Sequence, residues 1–488
     1  MTVPVRTFRE RLLEHARRIG DVPAILAPTA SLSYGALVGE VRALAVALRS
    51  RGIGQGAIVA LTARSEVDHL LAALALLELG VPQVALASHD PPAMRQRLAR
   101  RVGATLVLAD GPDDAVAGLD RVDLGAALAS ARANPRGGAV PGFDAAAPAL
   151  YLTGSGTTGE PKIVGFAQRD LALHAESHLD FAGERVLRPA HVEYNNSKRM
   201  RLYTLWQGGT CVFADGTAES LHGQCARHRV TWLELSPLHG VDLLAASRAE
   251  GMLPAHTAVR IGGARVPIAL RRAIIAEVSP QLFVSYGTTE TSFVSTAGPS
   301  MHDERETVGP PAAGVTVDVQ RDDGGRAAPG EIGDIRLRAP GMATGYVNDA
   351  AATSKHFRDG WFVPGDLASL DADGRLCLHG RKDDMMIMNG INIFPAEIER
   401  TLEAHPAVGA AAAFPLPSAV HGQIPAAAVE LRADCACTAP ELVGYARSAL
   451  GVRAPRRIEI LATLPRNAQG KIVKREIAAM VDARRAGE

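Results

Sequence analysis

The most informative stretch of the chain reads YLTGSGTTGEPK and spans residues 151–162. It places three glycines and four serine or threonine residues after a short apolar run. Glycines let backbone N–H groups approach anionic oxygens closely, and the hydroxyl groups supply further donors. The next residues, IVGF at 163–166, read as a strand. The stretch therefore predicts a phosphate-binding loop between two strands, although an ordinary Gly/Ser-rich hairpin would show the same pattern.

Two common nucleotide-binding loops match this stretch only in part. Gly154, Gly156 and Gly159 have the spacing of the dinucleotide fingerprint, but that fingerprint requires a helix directly after the loop. The P-loop spacing is present too, yet Glu160 stands where lysine is required, and Lys162 precedes isoleucine instead of serine or threonine. We therefore predict neither an NAD-dependent dehydrogenase nor a P-loop enzyme.

Composition narrows the class of protein. The 488 residues include 52 lysines and arginines against 52 aspartates and glutamates, and the length allows about two to four domains. Zero net charge argues against nucleic acid or an anionic membrane as partner. The five cysteines form no CxxC pair, the apolar stretch 70–79 is short and contains Glu78, and the N-terminus lacks a signal-peptide pattern. We expect a cytoplasmic protein without a disulfide framework or zinc site.

Apolar runs alternate with helical patterns in the first third of the chain, which predicts βαβ units and a largely parallel sheet. The predicted strands are 58–61, 83–86 and 104–108, and the predicted helices are 67–79 and 91–102. The stretch 111–148 is predicted to be a loose connection with one helix. The α/β rhythm resumes with strands at 231–235 and 281–285.

The pattern changes after residue 300. Residues 315–319 and 332–337 alternate like antiparallel strands, and the turn-forming sequence DDGG lies between them at 322–325. A small α+β unit should follow, with helices 395–405 and 440–450, strands 408–413, 426–431 and 457–461, and a terminal helix. The predicted fold class is α/β, with parallel-sheet layers, a β-rich subdomain and a small α+β C-terminal domain.

Six segments resemble, in order, the motifs of the adenylate-forming superfamily of acyl- and aryl-CoA synthetases, nonribosomal-peptide adenylation domains and beetle luciferases. They are SGTTGEPK at 155–162, IGGA at 261–264, SYGTTE at 285–290, GDL at 365–367, a segment at 380–399 that begins GRKDD, and a segment at 465–475. Each segment alone is a weak signal. Because all six occur in the family's order, the chain is identified as a member of this superfamily.

The resemblance implies ATP and Mg²⁺ as cofactors and gives the residues that would bind them. The phosphates would be held by Thr153, Ser155, Gly156, Thr157, Thr158, Gly159 and Lys162. The adenine side would be formed by Gly263, Ala264, Tyr286, Gly287 and Thr288, and the ribose would be bound by Asp366 and Arg381. Thr289 would contact the α-phosphate, Glu290 would ligate Mg²⁺, and Lys471 would bridge the substrate carboxylate and the α-phosphate. The predicted catalytic residues are Lys471, Glu290, Thr289 and Arg381.

The resemblance also implies two domains, a large adenylation domain at residues 1–380 and a small mobile domain at residues 381–488. Asp383 lies where the family has its hinge. Rotation there would withdraw Lys471 after adenylation and bring the region of Gly390 towards an incoming thiol. That thiol would belong to coenzyme A or to the phosphopantetheine of an acyl carrier protein. We therefore expect an acid–thiol ligase, with a homodimer left open.

The acid-binding region departs from the family. Where relatives have an apolar segment, residues 191–202 read HVEYNNSKRMRL. These polar residues either face solvent on a helix or line a small polar pocket formed by Glu193, Asn195, Asn196 and Lys198, with Gly262 nearby. A medium- or long-chain fatty acid is disfavoured, because its apolar tunnel would bury unsatisfied polar groups. We expect a small acid that is polar, aromatic or amino-bearing.

Two other functions remain open at this point. Adenylation could be followed by transfer to an amine, or nitrite could be activated for N–N bond formation. A catalytically silent nucleotide-binding homologue is the third reading. Retention of Glu290, Asp366, Arg381 and Lys471 together argues against a silent homologue, which has no need for both a Mg²⁺ ligand and a catalytic lysine.

Overall fold

The computed structural model describes residues 7–28, 30–111, 114–135, 138, 140–154, 162–214, 219–388, 391–418, 422–433, 435–467 and 470–486. Its architecture is mixed α/β, with two largely parallel sheets in the large N-terminal part, an antiparallel sheet after them, and a smaller α+β unit at the C-terminus. The predicted fold class is therefore confirmed.

The first sheet lies at the centre of the large part. Its strands are β1 (Pro23–Ala27), β2 (Ala30–Ser33), β9 (Arg185–Arg188), β10 (Thr210–Phe213), β11 (Trp232–Leu235), β12 (Ala258–Gly262), β13 (Leu282–Thr288) and β14 (Ser292–Ala297). They are arranged in the order β14-β13-β12-β11-β9-β10-β1-β2. Pairing is parallel from β13 to β1, and β14 and β2 are antiparallel edges.

The second sheet contains the three βαβ strands predicted in the first third. Its strands are β3 (Val59–Thr62), β4 (Gln83–Ala85), β5 (Leu106–Ala109), β6 (Asp120–Asp123), β7 (Pro148–Gly154) and β8 (Lys162–Ala167), in the order β6-β5-β3-β4-β7-β8. All neighbours pair in parallel except β7 and β8, which are antiparallel. The carboxyl ends of β3, β4 and β7 therefore lie side by side.

Helices cover both sheets, and some of them lie between the two. They are α1 (Phe8–Arg18), α2 (Tyr34–Arg49), α3 (Glu66–Leu79), α4 (Pro92–Val102), α5 (Leu124–Ala133), α6 (Gln168–Glu176), α7 (Asn195–Gln207), α8 (Leu221–His228), α9 (Pro237–Glu250) and α10 (Ile268–Glu277). Helix α6 contacts β7 and β8, α7 contacts β10, and α6 and α7 contact each other. Helix α7 is thus enclosed between the sheets, and every residue from 197 to 206 is buried.

The antiparallel sheet appears where the sequence pattern changes. It contains β15 (Thr316–Gln320), β16 (Gly333–Arg338), β17 (Phe357–Arg358), β18 (Trp361–Phe362), β19 (Asp366–Leu370) and β20 (Leu376–Arg381), with α11 (Ala350–His356) before β17. Strands β15 and β16 pair antiparallel as predicted. The DDGG sequence makes the expected turn, in which Arg321 N–H donates to the Gly325 carbonyl at 2.8 Å.

The C-terminal unit has its own apolar core around Met386, Ile398 and Val429. Its elements are β21 (Met386–Met388), β22 (Ile391–Ile393), α12 (Pro395–Glu403), β23 (Val408–Ser418), β24 (Gly422–Leu431), α13 (Ala439–Leu450), β25 (Arg457–Leu461) and α14 (Lys474–Ala486). The predicted helices and strands of this unit are present. The proposed boundary between residues 380 and 381 stays a prediction.

Strand β6 is one of the elements of the large part that the sequence analysis did not predict. Strand β6 lies within the stretch 111–148 that was predicted to hold only a helix. Its sequence DRVD is polar. Among the described strands β6 pairs with β5 alone, at the edge of the sheet, and its first two residues are exposed. Alternation of apolar residues therefore could not reveal it. None of the helices in the described part of the chain has the length and apolarity needed to cross a membrane.

Candidate active site

The predicted phosphate loop connects β7 to β8, and these two strands pair as a β-hairpin. Gly154, the last residue of β7, pairs with Lys162, the first residue of β8. A strand therefore follows the loop, as predicted, and the dinucleotide fingerprint is rejected. The predicted phosphate ligands Ser155, Gly156, Thr157, Thr158 and Gly159 lie outside the described residues, so their role stays a prediction.

The beginning of this loop lies against the turn between β13 and β14. A Cβ atom built on Gly154 would stand 3.6 Å from Glu290 Oε1 and 4.0 Å from Thr289 Oγ1. The hydroxyl of Tyr346 donates to the same Glu290 oxygen at 2.8 Å. Burial and the nearby carboxylate raise the pKa of Tyr346, so it remains a donor at neutral pH. The structure thus brings the start of the phosphate loop together with the predicted Mg²⁺ ligand.

Glu290 suits a hard divalent cation, because its carboxylate offers oxygen ligands beside the phosphate loop. In the part of the chain that the structure describes, no group of three or more acidic, histidine or cysteine side chains could hold a metal by itself. Mg²⁺ commonly binds through one or two carboxylates and takes its remaining ligands from phosphates and water. The single carboxylate therefore fits Mg²⁺ that arrives with a nucleotide.

Lys162 is held beside Glu290 by a histidine that the sequence analysis did not find. Its Nζ lies 2.8 Å from His356 Nε2 and 5.1 Å from the centre of the Tyr346 ring. His356 Nδ1 donates to the Val363 carbonyl at 2.7 Å, which leaves Nε2 as an acceptor for the ammonium group. Burial is the main cause that lowers the pKa of Lys162. His356 belongs to none of the six motifs, so no sequence signal identified it.

The predicted ribose and adenine residues form one hydrogen-bonded group. The Tyr286 hydroxyl donates to Asp366 Oδ2 at 2.6 Å, and Arg381 Nη1 donates to Asp366 Oδ1 at 3.1 Å. Asp366 and Arg381 are also direct partners across β19 and β20. Burial and Asp366 raise the pKa of Tyr286, which keeps its hydroxyl protonated.

The turn at 262–264 needs glycine at both of its first positions. Gly262 pairs with Ser285 of β13, and a Cβ on Gly262 would stand 2.7 Å from the Ser285 hydroxyl oxygen. Gly263 has φ +88°, which other residues rarely adopt. Gly262 is the last residue of β12, and Gly263 and Ala264 follow it, next to the end of β13. Carboxyl ends of parallel strands are where α/β sheets bind ligands.

The loop of Lys471 approaches the large part of the protein. Lys471 N–H donates to Asn467 Oδ1 at 3.0 Å, which shapes the loop. A Cβ on Gly470 would stand 2.6 Å from the Cβ of Leu238, in the first turn of α9. Helix α9 begins directly after β11, so this loop packs at the same sheet edge that carries the 262–264 turn. The structure shows no contact between Lys471 and Thr289 or Glu290.

The proposed hinge is a short turn. Asp383 is the middle residue of a 3₁₀ turn, Lys382–Asp384, and its carboxylate is 4.0 Å from Arg381 Nη2. Lys382 N–H donates to the Gly365 carbonyl at 2.8 Å. A second connection between the two parts involves Arg265 of the large part. Arg265 donates two hydrogen bonds to Glu306 and one to Glu403 of α12, at 2.7 to 2.8 Å. This ion-pair group joins the C-terminal unit to the large part.

Glu193 and Lys198 are buried, so the alternative of a solvent-exposed segment is wrong for them. Glu193 lies just before α7, and Lys198 lies on it. Asn195 Nδ2 donates to Thr153 Oγ1 at 2.6 Å and to the Thr153 carbonyl at 2.8 Å. The structure therefore joins Asn195 to the phosphate loop. Asn196 is exposed and is not brought together with the others.

Arg199 is a further site residue that the sequence analysis missed. From α7 it donates to the carbonyl of Thr289 at 2.9 Å and to that of Thr288 at 3.3 Å. It therefore fixes the turn that carries Thr289 and Glu290. It lies inside the polar segment 191–202, but no motif distinguished it from Arg201.

Comparison with known proteins gives a consistent result. A sequence profile described as AMP-binding enzyme matches residues 12–347, and one described as AMP-binding enzyme C-terminal domain matches residues 397–471. The fatty acid–[acyl-carrier-protein] ligase MmaC of Mycobacterium marinum is 28% identical over 97% of this chain and 97% of its own length. The sulfoacetate–CoA ligase of Cupriavidus necator is 32% identical over 67% of this chain and 66% of its own length.

Among solved structures, the amide bond synthetase McbA from Marinactinospora thermotolerans has a TM-score of 0.83 at 25% identity, with 96% of this chain and 99% of that protein covered. The fold, the site geometry and the sequence profiles agree. Because the first profile alone matches well over half of the 488 residues, the chain belongs to the AMP-binding enzyme family of adenylate-forming ligases.

Proposed function

We propose that this enzyme activates a small polar carboxylic acid with ATP to form an acyl-adenylate and then transfers the acyl group to a thiol. The thiol would belong to coenzyme A or to the phosphopantetheine of an acyl carrier protein. The convergence of Gly154, Thr289 and Glu290 at one point carries this proposal, because it joins a phosphate loop to a buried carboxylate. The relatives named as CoA and carrier-protein ligases support the thiol acceptor.

The first chemical obstacle is repulsion between the acid anion and the ATP phosphates. An active site overcomes it with fixed positive charge and donors where negative charge accumulates. Lys162 would supply charge at the phosphate loop, and Arg199 would keep the turn at Thr289 in place. Mg²⁺ bound at Glu290 would offset the charge of the phosphate oxygens.

Adenylation forms a bond between a carboxylate oxygen and the α-phosphorus and breaks the bond to pyrophosphate. Lys471 would bridge the two reacting groups, for which a flexible point charge is well suited. In the second step, the thiol sulfur would attack the acyl carbon, its proton would be lost, and AMP would leave. A turn at Asp383 would let the C-terminal unit rotate between the two steps.

The size and polarity of the acid are inferred from α7. A fatty-acid tunnel along this helix would expose an apolar chain to buried Glu193 and Lys198, which is costly. The similarity to a sulfoacetate–CoA ligase also supports a small polar acid. MmaC acts on fatty acids by its name, so the relatives alone do not decide the substrate.

Transfer to an amine is the second candidate function. It is favoured by the similarity to an amide bond synthetase over nearly the whole chain. Adenylation would be the same, and only the acceptor of the acyl group would change.

Product analysis separates these functions. The full-length enzyme is incubated with ATP, Mg²⁺ and a panel of small acids that includes nitrite, each with and without coenzyme A, and again with added amines. We expect acid-dependent pyrophosphate release and a thioester detectable by mass spectrometry. Pyrophosphate release that requires an amine and yields no thioester would contradict the leading proposal, and absence of release with every acid would contradict both.

A further inference from the structure

A group of polar residues lies beside the predicted phosphate loop, where residues 192–195, at the entry to α7, approach the carboxyl ends of three parallel strands. Asn195 contacts Thr153 at the end of β7. Two residues earlier, Glu193 Oε2 accepts from the backbone N–H and hydroxyl of Ser88, after β4, at 3.0 and 2.9 Å. Val192 N–H donates to Glu66, after β3, at 2.7 Å.

Lys198 is the unusual member of this group. Its exposed fraction is 0%, and its Nζ has no hydrogen-bond partner among the described residues. Lysine carries three N–H donors and no acceptor. A buried ammonium group without an acceptor destabilises the folded protein. An apolar residue of similar volume would cost less free energy at such a position.

No described neighbour of Lys198 binds its Nζ directly. Burial lowers the pKa of Lys198 to about 7, and the charge of Glu193 opposes part of this decrease, while the Glu193 carboxylate itself is fixed by Ser88. His69 is buried next to them, and burial with the Lys198 charge lowers its pKa, so this ring stays neutral. Arg201 is paired with Glu66 at 3.3 Å. The donors of Lys198 thus remain available.

Lys198 also lies on α7 between two residues that contact the predicted site. It lies three residues after Asn195, which is about 4.5 Å along a helix axis, and directly before Arg199. Those two neighbours contact Thr153 and Thr289, on either side of the predicted phosphate position. A short acid whose carboxylate reaches the α-phosphate could therefore present its other end to Lys198.

We propose that Lys198 binds a second oxyanion group of the substrate, so that the acid is short and dianionic, with a sulfonate or a second carboxylate. This subsite rests on the proposed function, since the ligand is the acid that the enzyme activates. Lys198 determines specificity and takes no part in bond making. Glu193 is a positioning residue that favours the charged lysine.

Matched pairs of acids test this subsite directly. Each dianionic acid is compared with an isosteric monoanion, as sulfoacetate with 3,3-dimethylbutanoate and malonate with 3-methylbutanoate, by acid-dependent ATP–pyrophosphate exchange. The wild-type enzyme should have at least a tenfold lower KM for the dianionic member. In Lys198→Met the preference should vanish or reverse, while the KM for ATP stays within about twofold.

Control variants separate charge from structure. Lys355→Met changes an exposed lysine on α11 and should keep the wild-type preference. Glu193→Gln should weaken the preference without reversing it. If Lys198→Met does not fold, Lys198→Gln is used in its place. A thermal-shift titration of the wild-type enzyme with each acid then provides a second measurement.

Two results would overturn the subsite. One is a wild-type enzyme that prefers the monoanionic members, and the other is an unchanged preference in Lys198→Met. Both results still include pyrophosphate exchange, so the proposed function would survive them. Absence of exchange with every acid would instead contradict the proposed function. Thermal stabilisation of the wild-type enzyme by the dianionic acids alone would in that case still support the oxyanion subsite.

Discussion

Two buried carboxylates, Glu290 and Glu193, are each fixed by donors on one oxygen. Tyr346 donates to Glu290, and Ser88 donates to Glu193. Because Glu290 lies beside Gly154, at the start of the predicted phosphate loop, its remaining acceptor capacity would be available to Mg²⁺. Glu193 acts instead on Lys198 through its charge. At the scale of single residues, the position of each carboxylate thus determines with which cation it can interact.

The burial of Lys198 should make the stability of the protein depend on pH. Burial lowers the pKa of Lys198 from 10.5 to about 7, and Glu193 opposes part of this change. Unfolding therefore takes up a proton between these two pH values, so the wild-type protein gains stability as the pH rises through this range. Lys198→Met lacks this contribution.

Thermal unfolding of both proteins from pH 6.5 to 10 measures the effect. The melting temperature of Lys198→Met should exceed that of the wild type most at pH 7 or below, by an amount equivalent to several kcal/mol at most. The difference should shrink as the pH approaches 10. A difference that does not change with pH would show that Lys198 is not protonated in the way described.

At the residue scale, sequence reasoning found the residues that belong to motifs and missed those that support them. Glu290, Asp366 and Lys162 were predicted, and the structure joins each to a hydrogen-bonded group. His356 and Arg199 were missed because their partners are far away in sequence, at Lys162 and Thr289. Only the folded chain brings such residues together.

Helix α7 is the element whose environment the sequence could not determine. Its polar residues allowed either a solvent-exposed face or a buried polar one. The helix is buried on all sides because it lies between two sheets, and that arrangement depends on β10 and α6 rather than on the helix itself. Strands with apolar runs, such as β3 and β5, were predicted correctly because their own residues are apolar enough to indicate burial.

The turn at Lys382–Asp384 is the proposed hinge for domain rotation. Proline fixes φ near −65° and removes a backbone N–H, so Asp383→Pro should restrict the turn. We expect this variant to retain acid-dependent ATP–pyrophosphate exchange and to lose most thioester formation. Asp383→Ala, which leaves the backbone free, should retain both activities.

Rates of the two half-reactions, measured separately with the same acid, test the turn. Equal loss of exchange and thioester formation in Asp383→Pro would contradict a hinge at this position. Loss of both in Asp383→Ala would instead assign the effect to the carboxylate near Arg381.

At the scale of the whole molecule, the site is assembled from sheet edges and a second unit. The carboxyl ends of both parallel sheets supply the loop at Gly154 and the turns at 262–264 and 288–291. The C-terminal unit adds the loop of Lys471, and the Arg265–Glu403 ion pair helps to hold that unit in place. The order of motifs along the chain predicted the adenylate-forming fold. It could not predict the contact of Gly470 with α9 or the Arg265–Glu403 ion pair, because Leu238 and Glu403 lie outside the motifs.

We propose that this assembled site adenylates an acid with the help of Lys471. Acid-dependent ATP–pyrophosphate exchange by the full-length enzyme, compared between the wild type and Lys471→Ala, measures the contribution of this lysine. Loss of a charge that stabilises a transition state typically costs about 10² to 10³ in rate, so the variant should lose exchange by that factor and keep its fold. Equal exchange by the two proteins with the preferred acid would contradict the account.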